Sequence, residues 1–163
     1  MSAHEPKNPR VVLLEDHRRI DGLLERLLAA TRADDRELCS KVWAKVEKTL
    51  LTHLDVEEMF VFPALTETHA AEVERLQREH ATIRREIGEI GVALDLHVLR
   101  ATTIEAFCAS LKEHAAREDS LAYPQAERKL AANIARAIVD RILAAASARR
   151  AGRTRPAAAR GAA

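Results

Sequence analysis

The chain is short of the residues that make turns and sheets. Its 163 residues include five glycines and five prolines, and aromatic side chains make up only 3%. With Ala, Leu, Glu and Arg abundant, this is a helical composition, and no strand-like alternation stands out anywhere. There are two cysteines, Cys39 and Cys108. Two scattered cysteines make no disulfide framework, so a reducing cytoplasm is the expected compartment. No apolar run approaches the roughly 20 residues that a membrane span needs. The first ten residues, MSAHEPKNPR, lack the apolar core of a secretory signal. Neither sign of charge dominates, since the formal net charge is +1. The charge is unevenly spread, however. Residues 128–163 hold nine basic residues and one acid, a balance of +8 that leaves −7 for residues 1–127.

The length suits one domain with a sizeable core. After a loose leader over residues 1–9, Leu13, Ile20, Leu24, Leu27 and Leu28 recur at helical spacing. Asp34 and Asp35 both offer an N-cap for a second helix from about Glu37 to Phe62, which Pro63 should end or bend. A third helix is predicted over about Glu67 to Val92, loosened by Gly88 and Gly91. A fourth runs from about His97 to Ala122, stopped by Pro124. Four long helices with short connections predict an all-α, up-down-up-down antiparallel four-helix bundle over residues 10–124. A C-terminal amphipathic helix is expected over 125–148, carrying Leu130, Ile134, Ile138 and Ile142. Residues 149–163 read as a disordered basic tail. The tail permits nonspecific nucleic-acid contact, but no reader motif or interleaved aromatic supports specific binding, so a solvated tail is the expectation.

The bundle is written twice. HLDVEEMFVFP at 53–63 aligns with HAAREDSLAYP at 114–124, pairing His53 with His114, Glu57 with Glu118, Phe62 with Tyr123 and Pro63 with Pro124, all 61 residues apart. LLEDHRRI at 13–20 aligns with LQREHATI at 76–83, pairing His17 with His80 at a spacing of 63. Each histidine lies three, four or seven residues from apolar neighbours: His17 from Leu13, Ile20 and Leu24; His53 from Val46, Leu50 and Val56; His80 from Val73, Leu76 and Ile83; His114 from Phe107, Leu111 and Leu121. That spacing puts all four on core-facing stripes. Glu57 and Glu118 each follow a histidine by four and share its face. Asp55 and Glu58, off that stripe, are expected to face solvent.

A single inward histidine is ordinary core furniture. Four of them with two inward carboxylates and no repeated lysine or arginine are different, because buried charge requires a partner or a metal. The donors are nitrogen and oxygen without thiolate, which excludes iron–sulfur and typical structural zinc sites. Six donors exceed one tetrahedral ion and suit two ions of higher coordination sharing carboxylates. Iron is the expected occupant, and manganese the next.

On these residues the chain resembles the hemerythrin-like, HHE cation-binding proteins: His17 in EDH, His53 and Glu57 in HLDVEE, His80 in REH, and His114 and Glu118 in HAARED. The resemblance covers about residues 10–125. It implies a four-helix bundle around two non-haem iron ions, oxo- or hydroxo-bridged, with glutamates bridging and histidines capping each iron. The oxygen-carrying members have a second histidine four residues after the third-helix one, where this chain has Arg84, and a His-x-x-x-x-Asp that would select Asp119. Glu118 better matches the repeat and the face of His114. Six ligands rather than seven leave open positions, which favours chemistry on a small ligand. The pattern is similar to a bacterial group in which peroxide decomposition or nitric oxide handling is implied.

Tyr123 has two readings: a helix-end aromatic with a wet hydroxyl, or a phenol near the metals as an extra ligand or hydrogen-bond donor. His4, His69 and His97 have no repeat partners and are expected in the leader and loops. Cys108 and Trp43 are expected in the packing. The leading functional expectation is a di-iron oxidoreductase, catalase-like toward hydrogen peroxide in oxidative stress. Its alternatives are non-catalytic binding or sensing of oxygen, nitric oxide or iron, and a metal-free partner-binding bundle. Monomer and homodimer both fit, the C-terminal helix being the candidate dimer element.

Overall fold

The computed structural model describes the backbone of residues 8–151 and the side chains of residues 8–147. The leader's first seven residues, His4 among them, and the tail beyond Ala151 lie outside the described residues. The fold is the expected all-α bundle. Helix α1 spans Pro9–Arg32, α2 Arg36–Val56, α3 Phe62–Asp95 and α4 Ala101–Arg117. A π-helical turn, π1 (Glu57–Val61), joins α2 to α3, and a second, π2 (Glu118–Ala122), joins α4 to the short α5 (Tyr123–Glu127). Helix α6 spans Ala132–Ala151. No described helix is long and apolar enough to cross a membrane.

The ends follow side-chain chemistry. Asn8 caps α1, its side chain accepting from the amides of Arg10 and Val11, with Pro9 in the first turn. Between the two candidate caps for α2, Asp35 is used, accepting from the Leu38 amide. Asp34 adopts a left-handed φ of 52° and makes the turn instead.

Pro124 acts differently from expectation, and of the two outcomes expected at Pro63 the ending does not occur. Pro63 does not end the second helix, and Pro124 does not stop the fourth. A proline inside an α-helix clashes with the carbonyl four residues back. Here the turn before each proline is widened: the Phe62 amide bonds the Glu57 carbonyl and the Tyr123 amide bonds the Glu118 carbonyl, each five residues back. The widened turn removes the clash and the helix passes through. The second bundle helix continues to His69, where φ −136° and ψ 39° break the helical path and separate it from the third. The last bundle helix likewise runs on to Glu127, so the C-terminal helix begins at Ala132 rather than at 125.

The core falls into two apolar clusters. One gathers Leu24, Leu27, Trp43, Val46, Ile83, Ile104 and Phe107, with Cys108 packed half-buried at its edge. The other gathers Leu13, Val61, Phe62, Leu65, Leu76 and Tyr123 with Ile138, Val139 and Ile142 of α6. The C-terminal helix therefore uses its apolar face within the chain, against α1 and α2. Ile138 is fully buried. Truncating such a side chain costs about 2–5 kcal/mol through lost transfer energy and a residual cavity. Ile138→Ala is thus expected to lower the unfolding free energy read from urea denaturation by an amount in that range. A change below about 0.5 kcal/mol would show that α6 is not docked.

Candidate metal centre

Between the two apolar clusters lies a polar layer. His53, Glu57, His80, His114 and Glu118 are all buried, and the His17 side chain is 12% exposed. These are the six positions singled out by the repeat, and the fold brings them together. The donor atoms form two groups, His17, His53, Glu57 and Glu118 in one, and His80, His114, Glu57 and Glu118 in the other. Both glutamates belong to both groups.

Every histidine turns Nε2 inward. His53 Nε2 lies 3.4 Å from Glu57 Oε1, and His80 Nε2 lies 3.4 Å from Glu57 Oε2. Glu118 is arranged the same way, Oε2 at 3.4 Å from His17 Nε2 and Oε1 at 3.1 Å from His114 Nε2. Each glutamate thus presents one oxygen to each histidine pair. Both start a π turn, which also lets a proline follow six residues later.

Every histidine turns Nδ1 outward to a carboxylate. Asp16 meets His53 at 3.1 Å, Glu58 meets His80 at 2.9 Å, Glu79 meets His114 at 2.8 Å and Asp119 meets His17 at 3.0 Å. The pattern closes a ring in which each bundle helix supplies the carboxylate for the next helix's histidine. Such a bond fixes the imidazole tautomer and its direction. Arginines reinforce three of the four carboxylates: Arg19 on Asp16, Arg84 on Glu58 and Arg117 on Glu79. The ring settles Glu118 against Asp119 in position, since Glu118 points inward and Asp119 outward. Glu58 is exposed as expected, and it also holds His80. Asp55 is more exposed and pairs with Arg84 at 2.8 Å. Arg84, at the missing histidine's position, faces these outer acids.

Sequence reasoning missed the ring, although its signal was present. Asp16 and Glu79 are repeat partners, as are Glu58 and Asp119, at the same spacings of 63 and 61 as the inner residues.

Tyr123 is buried rather than wet. Its hydroxyl donates to Glu57 Oε1 and lies 3.1 Å from His17 Nε2 and 3.3 Å from His53 Nε2. His69, at the helix break, and His97, exposed with φ 58°, belong to neither donor group.

The electrostatics describe a cage that holds charge. Burial disfavours the imidazolium of His17, but Asp119 and Glu118 outweigh it and raise its pKa to about 9. Burial likewise opposes protonated His80, and Glu118 with Glu57 raises it to about 10. Burial and neighbouring Glu118 push Glu57 up, while His53 and His80 prevail and bring it down to about 2. Burial, with Glu57 and Glu118 beside it, lifts the Tyr123 phenol well above its ordinary value and keeps it protonated.

A cation fits this cage. Glu57 Oε2, Glu118 Oε2 and His114 Nε2 are buried and, among the described residues, meet ion-pair partners but make no well-aligned hydrogen bond, which leaves buried polar atoms incompletely satisfied. All three point into the donor groups. If the outer ring orients the histidines for a cation, Asp16→Asn should weaken metal binding about 10–100-fold, read by competition with a coloured chelator. An unchanged affinity would leave the ring a purely structural role.

No curated protein and no solved structure matches the chain. Residues 8–126 match the hemerythrin HHE cation-binding domain. The matched span runs from the cap of α1 to the end of the fourth bundle helix and contains every donor just described, so the chain belongs to the hemerythrin HHE cation-binding family.

Proposed function

We propose that this protein holds two iron ions and decomposes hydrogen peroxide, one peroxide being reduced to two waters while a second is oxidised to dioxygen. The observation that carries the reading is the sharing of Glu57 and Glu118 between two donor groups, each carboxylate presenting one oxygen to each group. His17 and His53 would complete one ion's protein ligands, and His80 and His114 the other's. Nitrogen and oxygen donors suit iron first and manganese second. When bound, the iron pair supplies the one-electron steps that peroxide chemistry needs. Four protein donors per six-coordinate ion leave about two positions for small ligands.

The chain's own residues do three things here. Ile20, Leu50, Leu54 and Leu111 line a cavity of about 20 Å³ against His17, His53 and His114. That space is of the size of a small molecule of a few atoms, and its walls are mostly apolar. The outer carboxylates hold the imidazoles in one tautomer. Tyr123 holds a proton on its phenol oxygen and donates it toward Glu57 Oε1, a position from which it can serve the oxygen atom that becomes water.

Oxygen evolution from added peroxide by the iron-loaded protein tests the reading. Iron-loaded protein that evolves no oxygen, yet changes its absorption with nitric oxide or dioxygen, would replace it with a binding or sensing role. Tyr123→Phe is expected to keep the iron content and lower turnover about 100-fold, the lower end of what a positioned proton donor contributes. Unchanged turnover would remove the phenol from the chemistry.

A further inference from the structure

The outer side of the His80–His114 pair opens on a cleft that the proposed metal chemistry does not use. It encloses about 270 Å³ between α3 and α4 and is lined by Arg75, Arg78, Thr82, Ser110 and Arg117 around Glu79 and His114. This is far more room than the cavity of about 20 Å³ beside His17. Arg75, Arg78 and Thr82 are three, four and seven residues apart on one face of α3, and Ser110 and Arg117 are seven apart on one face of α4. Two basic helix faces therefore meet here, in a region of the chain whose formal balance is −7.

Of the three guanidinium groups lining the cleft, two share its one lining carboxylate. Glu79 Oε1 takes Arg117 at 2.8 Å and Arg75 at 3.2 Å, while its Oε2 is held by His114 Nδ1 at 2.8 Å. Among the described residues, Arg78 pairs with the solvent-exposed Glu74 alone, at 3.7 Å. An exposed pair of that length contributes little, so Arg78 is available to another anion. Planar guanidinium forks beside a serine hydroxyl suit the oxygens of a phosphoryl group.

We propose that this cleft binds a small phosphate-bearing anion, with Arg75 and Arg78 as its principal contacts. The anion competes with Glu79 for Arg75 and Arg117. Because Glu79 also holds His114, occupancy of the cleft reaches the metal layer through a single hydrogen bond. The site stands on its own arginines and does not depend on which metal the centre holds or which oxidant it meets.

Titration calorimetry of the metal-loaded full chain with inorganic phosphate, and separately with glycerol phosphate, tests the proposal. Saturable binding of either is expected, the tighter one telling a free ion from a phosphomonoester. Arg78→Gln should weaken binding at least tenfold, and Arg78→Lys less, with metal content unchanged in both. Arg75→Gln/Arg78→Gln should abolish it. Arg78 touches neither Glu79 nor any metal donor, so its loss leaves the layer intact. Absence of saturable binding would overturn the proposal. So would wild-type affinity in both Arg78→Gln and the double variant, because the phosphate would then be sitting away from these arginines, as on the metals.

Discussion

Glu118→Gln is expected to empty both proposed metal positions at once, taking the metal content from the proposed two ions per chain to less than about a tenth of that, because Glu118 belongs to both donor groups. The substitution keeps the side chain's shape, so it opens no cavity, but it removes the charge and leaves only one weak oxygen donor. That donor cannot serve both groups. Glu118 Oε2 faces His17, and Oε1 faces His80 and His114. Losing either oxygen takes one of four protein donors from that ion, and losing the charge weakens attraction to both. His114→Ala gives the contrast, because His114 belongs to one group only. It should spare the ion at His17 and His53 and leave about one ion per chain. The metal-free Glu118→Gln chain should still be helical but melt lower, since His17, His80 and His114 lose the buried carboxylate they pair with. Elemental analysis with circular dichroism reads both outcomes. Two ions retained by Glu118→Gln would show that the carboxylate is not shared.

The second large effect concerns metal removal and its pH dependence. A ligand at 1,000 times its dissociation constant stabilises the folded state by about 4 kcal/mol, so two ions contribute about 8 kcal/mol. At about 2–4 °C per kcal/mol for a chain of this size, chelation should lower Tm by roughly 15–30 °C. The loss should depend on pH in a definite direction. His17 and His80 are raised to about 9 and 10 without a cation, because the surrounding carboxylates outweigh burial. A raised folded-state pKa contributes stability fully present below the unfolded value of about 6.5, and lost as pH climbs through 9 to 10. The metal-free protein should therefore melt lower at pH 9 than at pH 6. The metal-loaded protein gains over the same interval, because ions no longer compete with protons for the imidazoles. Chelation should thus cost more at pH 9. Scanning calorimetry of both forms at the two pH values checks this, and a Tm indifferent to chelator at both would remove the cation from the stability of the fold.

The depth of the repeat explains why so much was legible. Helical spacing around His17, His53, His80 and His114 placed all four on buried stripes, and a chain that writes the same residues twice makes coincidence a poor account of them. Pro124 did not stop its helix, and Pro63 did not end its own, because a breaker rule assumes a regular α-turn, and π1 and π2 are not regular. Glu58 is exposed and still reaches His80 across the bundle, as Asp16 and Glu79 reach their histidines from regular helix. Tyr123, with two open readings in the sequence, is committed by packing: the second apolar cluster encloses its ring and leaves the hydroxyl only the glutamate and two histidines to meet.

What the sequence by itself determined was the helical bundle, the inward faces and the donor chemistry. These follow from spacing and residue type, which are local properties of the chain. Only the tertiary structure decided which outer acid meets which histidine, that each glutamate turns one oxygen to each pair, and that three arginines from two helices share one cleft. Those facts are distances between separate helices, set by how the apolar clusters pack on either side of the polar layer, and no local pattern encodes them.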